Sequence, residues 1–210
     1  MILFDLDGTL VDSAGAILAA YRAAIRAVAG YDIEPDAEHV HDLLRRRPRE
    51  YFQQHYPPLA DQMAAQYGSN YRSETVVAFP GAKTLVADLA GRKALGIVSN
   101  KGRARILSDL GHVGIDAEAF AVIIGAEDTL ERKPHPAPIL KALEAGGTAP
   151  QGAIYVGDGP HDMLAAKAAG LTAVGVTWGY YPAASLVEAG ADATVDNVTR
   201  LAAILSGKGR

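Results

Sequence analysis

The sequence predicts an α/β fold: a doubly wound parallel sheet with a helical domain inserted after its first strand. From residue 79 onward, short apolar runs alternate with helical patterns through glycine-rich joints, as is typical of a parallel sheet with helices on both faces. Residues 14–78 break this alternation, because they contain no convincing strand and their apolar residues recur at helical spacing. We therefore predict an α/β core formed by 1–13 and 79–210, and a helical insert formed by 14–78.

The core elements are predicted in chain order from apolar runs of strand length. Residues 1–4 form the first run, and a short continuous apolar run is typical of a buried strand. Five later runs of the same kind are the segments 94–98, 121–124, 153–156, 173–176 and 193–195. Helix-like segments accompany them at 83–90, 102–110, 136–145, 161–169, 182–189 and 198–205. In such sheets ligands bind beyond the carboxyl ends of the strands, so residues just after each strand are candidates for a site.

The insert is predicted to be helical because apolar residues such as Ile17, Tyr21 and Ile25 recur at helical spacing. Prolines interrupt this pattern and are expected to divide it into three or four helices. They are Pro35, Pro48, Pro57 and Pro58. A domain inserted just after a strand that carries a site can act as a lid over it.

Composition places the chain among ordinary globular proteins and excludes several classes of function. It has 210 residues, of which 49% are hydrophobic and 21% charged, enough for a sizeable core. A net charge of -4 argues against nucleic acid as the main partner. No apolar run approaches the length of a membrane span and no signal-peptide pattern opens the chain, so we expect a cytoplasmic protein with no membrane partner. Cysteine is absent, which excludes disulfides and thiolate chemistry.

Two carboxylates, Asp5 and Asp7, follow the first strand directly. Alternate side chains share a face of a strand, so both are expected at one edge of the sheet, where Gly8 lets the chain turn. Crowded carboxylates raise each other's pKa unless a cation is near. Mg²⁺, which takes oxygen ligands, is the simplest such cation. Taken alone, the Asp-x-Asp-Gly pattern is also typical of a simple turn after an edge strand.

Later strands end in polar residues of the types that a phosphate site needs. Ser99 and Asn100 follow the second core strand and offer donors for phosphate oxygens, or alternatively a helix cap. Lys133 lies among prolines before a helix, where its charge would offset carboxylates and phosphate, unless it is a solvated loop lysine. Asp158 and Asp162 bring two further carboxylates to the same edge, in an arrangement suited to metal ligation.

Taken in order, these motifs resemble those of the haloacid dehalogenase superfamily of phosphohydrolases, in particular its phosphoglycolate phosphatase-like branch. The matching segments are Asp5-Leu6-Asp7-Gly8-Thr9, Ser99-Asn100, Lys133-Pro134 and Gly157-Asp158-x-x-x-Asp162. The resemblance covers essentially the whole chain. It implies a Rossmann-like core, with the insert as an all-helical cap.

The resemblance also implies a role for each motif residue. Asp5 is expected to be the nucleophile that forms an aspartyl-phosphate. Asp7 is expected to protonate the leaving alkoxide and then to deprotonate the attacking water, which favours phosphate chemistry over dehalogenation. The implied Mg²⁺ ligands are Asp5, the backbone carbonyl of Asp7 and Asp158, with Asp162 supporting the metal shell. The residues expected to bind the phosphoryl oxygens are Ser99, Asn100 and Lys133.

These expectations favour a Mg²⁺-dependent phosphomonoesterase that acts on a small phosphorylated metabolite, with phosphoglycolate the first candidate. Alternatives on the same fold are a nucleoside monophosphate or sugar phosphate phosphatase, a pyrophosphatase and a phosphosugar mutase. A non-catalytic protein that binds a phosphometabolite is an alternative of a different class. We expect a monomer or a homodimer.

A run of arginines in the insert bears on the choice of substrate. Its members are Arg45, Arg46, Arg47 and Arg49. They would suit a substrate that carries a carboxylate or a phosphate, or they form a solvated helix end.

Overall fold

A computed structural model describes residues 1–33 and 37–207, with the side chains of 37–39 left out. The chain divides into two compact units. The α/β unit comprises Met1–Asp12 and Val77–Arg210, and the helical unit comprises Ser13–Val76. Compared with the sequence-based division, residues 13, 77 and 78 fall on the other side of the boundaries.

The α/β unit contains one main sheet and one short strand pair. Its strands in chain order are β1 (Ile2–Phe4), β2 (Val11–Asp12), β3 (Val77–Ala78), β4 (Leu95–Val98), β5 (Val122–Ile124), β6 (Ile154–Gly157), β7 (Thr172–Val176) and β8 (Ala193–Val195). Six of them form a parallel sheet in the order β5-β4-β1-β6-β7-β8. Phe4 of β1 lies opposite Ile97 on one side and Val156 on the other. Each predicted core strand is therefore confirmed.

Helices connect these strands. Those of the helical unit are α1 (Ala14–Ala29), α2 (Ala37–Arg45), α3 (Pro48–His55) and α4 (Ala60–Asn70). Those of the α/β unit are α5 (Ala82–Ala90), α6 (Arg103–Val113), α7 (Ala137–Ala145), α8 (Pro160–Ala168), α9 (Ala183–Glu188) and α10 (Val198–Leu205). Helix α6 is longer than predicted, since it continues through Gly111 and ends at Gly114, whose φ is 69°. The left-handed conformation at Gly114 is the usual way to stop a helix.

The strand order explains why the sheet is doubly wound. From the central strand β1 the chain moves outward through β4 to β5, and then returns to β6 and moves outward the other way to β8. Because parallel crossovers are right-handed, the two directions place their helices on opposite faces. Leu3 and Phe4, which point to opposite faces of β1, are both fully buried. The doubly wound α/β prediction is confirmed.

The short pair β2 and β3 was not predicted. Val11 lies opposite Ala78 in an antiparallel arrangement. Each strand has only two residues, too few to produce a recognisable apolar pattern. The pair joins the two points at which the main chain leaves the α/β unit for the helical unit and returns from it.

Aromatic packing builds the core of the helical unit. The buried ring of Tyr21 on α1 lies 5.2 Å from the rings of Tyr51 and Phe52 and 4.9 Å from that of Tyr67, measured between centroids. Pro48 is the first residue of α3, a position that tolerates proline because no hydrogen bond from its nitrogen is needed there. Pro35 lies outside the described residues.

Within the described ranges, none of the helices combines the length and the hydropathy that crossing a bilayer requires.

Candidate active site

Three of the predicted site residues come directly after the three central strands of the sheet. Asp5 comes directly after β1, and its N–H donates to the carbonyl of Val156 at 2.9 Å. Ser99 comes directly after β4 and Asp158 directly after β6. Since β1 lies between β4 and β6, the chain reverses its direction of winding at this point, which is where open α/β sheets bind ligands.

The loop after β1 turns sharply and brings its backbone against Asp158. Gly8 has a φ of 74°, in the left-handed region, and a Cβ at this position would overlap with the carboxylate of Asp158. Gly179 lies against the same carboxylate, and the Tyr180 N–H donates to its Oδ2 at 2.7 Å. Two glycines and one amide therefore form the cradle of Asp158.

Lys133 is the central cation of the site. Its side chain is fully buried, and its Nζ lies 3.0 Å from Asp5 Oδ1 and 2.7 Å from Asp162 Oδ1. Burial opposes its charge, but the carboxylates of Asp162 and Asp5 raise the pKa of Lys133 above its ordinary value. Lys133 is therefore held as an ammonium between two carboxylates, as a lysine that offsets negative charge must be.

Tyr155 is a functional candidate that the sequence analysis missed. Its hydroxyl accepts from Lys133 Nζ at 2.8 Å and donates to the carbonyl of Val98 at 2.7 Å. Lys133 Nζ also donates to that carbonyl, at 2.9 Å. Burial and the nearby charges of Asp162 and Asp5 raise the pKa of Tyr155 well above its ordinary value, so the phenol stays protonated. The signal in the sequence was a hydroxyl-bearing residue inside an apolar strand.

Asn100 contacts the lysine loop. Its amide nitrogen donates to the Lys133 carbonyl at 2.9 Å, and its Oδ1 accepts from the Lys133 N–H at 3.1 Å. These two hydrogen bonds fix the main chain from which the Lys133 side chain extends. In this structure Asn100 positions the lysine, while its predicted contact with phosphate stays a prediction. Ser99 is buried beside it, and its Oγ accepts from the Lys101 N–H at 3.2 Å.

A group of potential metal ligands lies at the same edge. Oxygens of Asp5 and Asp162 and a ring nitrogen of His161 lie within 4.8 Å of one another. The sequence analysis did not assign His161 to the site, but its Nε2 lies 3.6 Å from Asp162 Oδ1 and 4.0 Å from Asp5 Oδ2. Asp158 is close enough that the charges of Asp162 and Asp5 raise its pKa, in addition to the larger effect of burial.

The charge balance of this group fits a divalent cation. Among the described residues around Lys133, the three buried carboxylates of Asp5, Asp158 and Asp162 face the single ammonium of Lys133 itself. Two negative charges are thus left over. Burial raises the pKa of Asp5 and of Asp158, so without further positive charge their ionised forms are disfavoured. Hard oxygen donors with an excess charge of two suit Mg²⁺.

Asp7 is connected to a second buried lysine. Lys101 Nζ lies 2.5 Å from Asp7 Oδ1 and 2.5 Å from Asp109 Oδ2. Burial opposes the charge of Lys101, but Asp7 and Asp109 raise its pKa above the ordinary value. Neither Lys101 nor Asp109 was assigned to the site from the sequence. The available signal was Asp109 itself, a carboxylate on the apolar face of a helix.

The arginine run of the helical unit is paired largely with acids of that unit. Arg46 contacts Asp42. Arg47 Nη2 lies 2.7 Å from Glu50, and Arg49 Nη2 lies 2.8 Å from Asp61. A role of this run in binding a substrate anion stays a prediction.

Comparison with known proteins finds related sequences and related structures. A family model described as haloacid dehalogenase-like hydrolase matches residues 2–176. The phosphoglycolate phosphatase of Shigella boydii is 36% identical over 206 residues, covering 85% of this chain and 81% of the relative. The phosphoglycolate phosphatase of Photorhabdus laumondii is 32% identical over 210 residues, covering 95% and 89%. A haloacid dehalogenase-like hydrolase structure from Streptococcus pneumoniae superposes with a TM-score of 0.87 at 27% identity, covering 97% of each chain.

Proposed function

The chain belongs to the haloacid dehalogenase-like hydrolases and is a phosphatase, and from that premise we propose that it hydrolyses phosphomonoesters of a small metabolite with Mg²⁺ through an aspartyl-phosphate. The observation that carries the proposal is the buried Asp5 at the end of the central strand, with its Oδ1 held by the Leu6 N–H at 2.8 Å and by Lys133 at 3.0 Å. These contacts fix the carboxylate and leave Oδ2 to attack phosphorus.

The first step is phosphoryl transfer to Asp5. A bond forms between an Asp5 oxygen and phosphorus while the bond from phosphorus to the leaving oxygen breaks, and Asp7 gives its proton to that oxygen. A carboxylate is a weak nucleophile, so positioning and neutralisation of charge supply most of the catalysis. Ser99 and Lys133 bind the phosphoryl oxygens in this proposal.

The second step is hydrolysis of the acyl phosphate. Asp7, now ionised, takes a proton from water, whose oxygen bonds to phosphorus as the bond to Asp5 breaks. Inorganic phosphate leaves, Asp5 is regenerated, and Asp7 holds the proton needed for the next cycle. One residue thus serves as acid and base in turn.

The proposed metal site consists of oxygen donors of Asp5, the Asp7 carbonyl and Asp158, with Asp162 beside them. Bound there, Mg²⁺ would neutralise negative charge on the carboxylates and on the transferring phosphoryl group. Asp162 is already an acceptor for Lys133 at 2.7 Å and for the Gly159 N–H at 3.0 Å. These two contacts support a role of Asp162 in orienting the site.

Phosphoglycolate is the leading candidate substrate because the curated relatives in Shigella boydii and Photorhabdus laumondii carry that activity in their names. The helical unit, which the chain enters after the first strand, takes the part of the cap in this proposal and would select the leaving group. Arg45 and the neighbouring arginines are its candidate residues. Nucleoside monophosphates and sugar phosphates are the alternative substrates to be separated by experiment.

Replacement of the nucleophile tests the mechanism. We expect Asp5→Asn to lower kcat for p-nitrophenyl phosphate by at least about 10³-fold, because an amide cannot form the acyl phosphate. The matched control is Asp88→Asn, which changes an exposed aspartate on α5 and should keep full activity. Circular dichroism of both variants should match the parent. An Asp5→Asn enzyme with parental turnover would refute the aspartyl-phosphate.

A panel of phosphorylated substrates, assayed with and without EDTA, tests the metal requirement and the choice of substrate. The expected outcome is hydrolysis of 2-phosphoglycolate above the other monoesters, abolished by EDTA and restored by Mg²⁺. Activity that persists in EDTA would remove the metal from the proposal. A preference for nucleotides or sugar phosphates would replace the substrate but keep the chemistry.

A further inference from the structure

Helix α6 carries a carboxylate on its buried face. Ile106, Leu110 and Val113 form that face, and Asp109, which lies among them, is fully buried. A buried carboxylate destabilises the fold unless it is well paired, and an apolar residue in its place is often neutral or stabilising. The presence of Asp109 is therefore better explained by what it contacts than by stability.

Lys101 links Asp109 to the site. The same ammonium lies 2.5 Å from Asp109 Oδ2 and 2.5 Å from Asp7 Oδ1. The side chain is 0% exposed in Asp109, 8% in Lys101 and 21% in Asp7. The chain of contacts thus leads from the interior of the α/β unit to the more accessible carboxyl that the proposed function uses as acid and base.

An immobilised ammonium holds the Asp7 carboxyl in one orientation better than a mobile ammonium does. A free lysine side chain loses rotamer entropy when it is held in one conformation. Asp109 is immobilised in the helix packing, so its contact holds Lys101 in place before substrate arrives. A catalytic group displaced by about 1 Å can lose about 10²-fold in rate.

We propose that Asp109 is a positioning residue that, through Lys101, holds the carboxyl of Asp7 in the orientation from which it transfers a proton to the leaving oxygen of the substrate. This inference rests on the proposed function. It adds two residues to the machinery, Lys101 in contact with the acid and Asp109 behind it.

The chemistry of the leaving group supplies a specific test. In the first step the proton of Asp7 goes to the leaving oxygen as its bond to phosphorus breaks. An alkoxide is a poor leaving group and needs that proton, whereas p-nitrophenolate leaves without one. A misplaced Asp7 should therefore slow an alkyl ester far more than an aryl ester. Damage to the fold should slow both equally.

The test compares kcat/KM for 2-phosphoglycolate, or glycerol 2-phosphate if it is turned over faster, with kcat/KM for p-nitrophenyl phosphate. This parameter reports phosphoryl transfer to Asp5 and excludes the later hydrolysis. For Asp109→Leu we expect a loss of about 10–10²-fold on the alkyl ester and less than about threefold on the aryl ester. Asp109→Asn should be intermediate, since its amide oxygen can still accept from Lys101. Equal losses on both esters, or none, would overturn the inference.

Two control variants distinguish a positioning effect from damage to the fold. Leu110→Ala removes a buried apolar side chain from the same helix and should lower the melting temperature without changing the ratio of the two kcat/KM values. The double variant Lys101→Met with Asp109→Leu removes both buried charges, so it should fold and still show the selective loss.

Asp7→Asn separates failure of this inference from failure of the proposed function. If Asp7→Asn shows the selective loss and Asp109→Leu does not, the positioning role is wrong and the acid role stands. If Asp7→Asn shows no selectivity, the proposed role of Asp7 as acid fails.

Discussion

The carboxylates of the site differ in what each one contacts, although they lie at one edge of one sheet. Asp5 and Asp162 share the ammonium of Lys133, while Asp7 contacts that of Lys101. Asp158 instead lies in a cradle of backbone, between Gly8, Gly179 and the Tyr180 N–H. Its negative charge therefore depends most on a cation that is not a side chain, which is the physical basis for assigning it to the metal.

That cradle predicts the effect of a single methyl group. In Gly179→Ala the added Cβ would overlap with Asp158 and with the carbonyl oxygen of Gly8, and the latter is backbone that cannot rotate away. Asp158 must then shift. Because changes next to a metal ligand typically cost about 10–10²-fold in metal affinity, we expect the Mg²⁺ concentration for half-maximal activity to rise by that factor.

Titration of activity with MgCl₂ measures the effect. Gly111→Ala is the matched control, since a Cβ at Gly111 has no neighbour within 4 Å, and its Mg²⁺ dependence should equal that of the parent. An unchanged Mg²⁺ dependence in Gly179→Ala would show that Asp158 does not hold the metal.

At the scale of elements, the inner core strands were predictable because they are largely apolar runs buried on both faces, whereas the edge strand β8 exposes Thr194. The strands β2 and β3 were not, since two residues carry no pattern and their pairing depends on where the chain leaves and re-enters the unit. The length of α6 was also misjudged, because Gly111 does not adopt the left-handed conformation that ends a helix, whereas Gly114 does.

The position of each residue relative to the strands explains which site residues could be predicted from the sequence. Asp5, Ser99 and Asp158 follow strands, so the rule that ligands bind at strand carboxyl ends was enough to place them. The part of Asn100 in holding Lys133 depends on the conformation of a loop 33 residues away in sequence. Likewise, no local pattern places Tyr155 against Lys133, because Tyr155 lies on β6 and Lys133 lies 22 residues earlier, in the loop that follows β5.

Helix α6 offers a prediction about stability. Gly111 lies inside the helix, is exposed, and has space for a Cβ. Glycine in a helix interior costs about 0.5–1 kcal/mol relative to alanine. We expect Gly111→Ala to raise the free energy of unfolding by about that amount in a urea titration, with unchanged kcat. A loss of stability would mean that the glycine serves the end of the helix at Gly114.

At the scale of the whole molecule, two compact units share one chain, and the α/β unit holds the buried charge cluster of Asp5, Lys133, Asp158 and Asp162. Folding of the six-stranded sheet brings Asp5 together with Lys133 and Asp158, which lie more than 120 residues later in the chain, so the charges come together only on folding. Crowding of these carboxylates therefore destabilises the folded α/β unit. A divalent cation bound among them would offset part of this destabilisation, because a ligand that binds only the folded state stabilises it by mass action.

The raised pKa of Asp158 determines how the stability of the folded protein changes with pH. Since burial raises that pKa above its unfolded value, the folded state retains a proton that the unfolded state has lost. The stability of the metal-free protein therefore falls as the pH rises from about 4 through the folded pKa. In the proposed site Mg²⁺ would replace the proton at the carboxylates, so its stabilising effect should grow over the same range.

We expect a saturating concentration of Mg²⁺, at about 100 times its dissociation constant, to contribute about 2.7 kcal/mol at pH 7.5. For a chain of this length that corresponds to a rise of about 5–10 °C in Tm. At pH 5 the rise should be smaller, because protons compete for the same oxygens. Differential scanning fluorimetry with MgCl₂ or EDTA at the two pH values measures both shifts.

In Asp158→Asn, which has no proton to displace at this position, the Mg²⁺ shift should shrink and lose most of its pH dependence. A Mg²⁺ shift of equal size at both pH values in the parent would mean that metal binding is not coupled to this carboxyl.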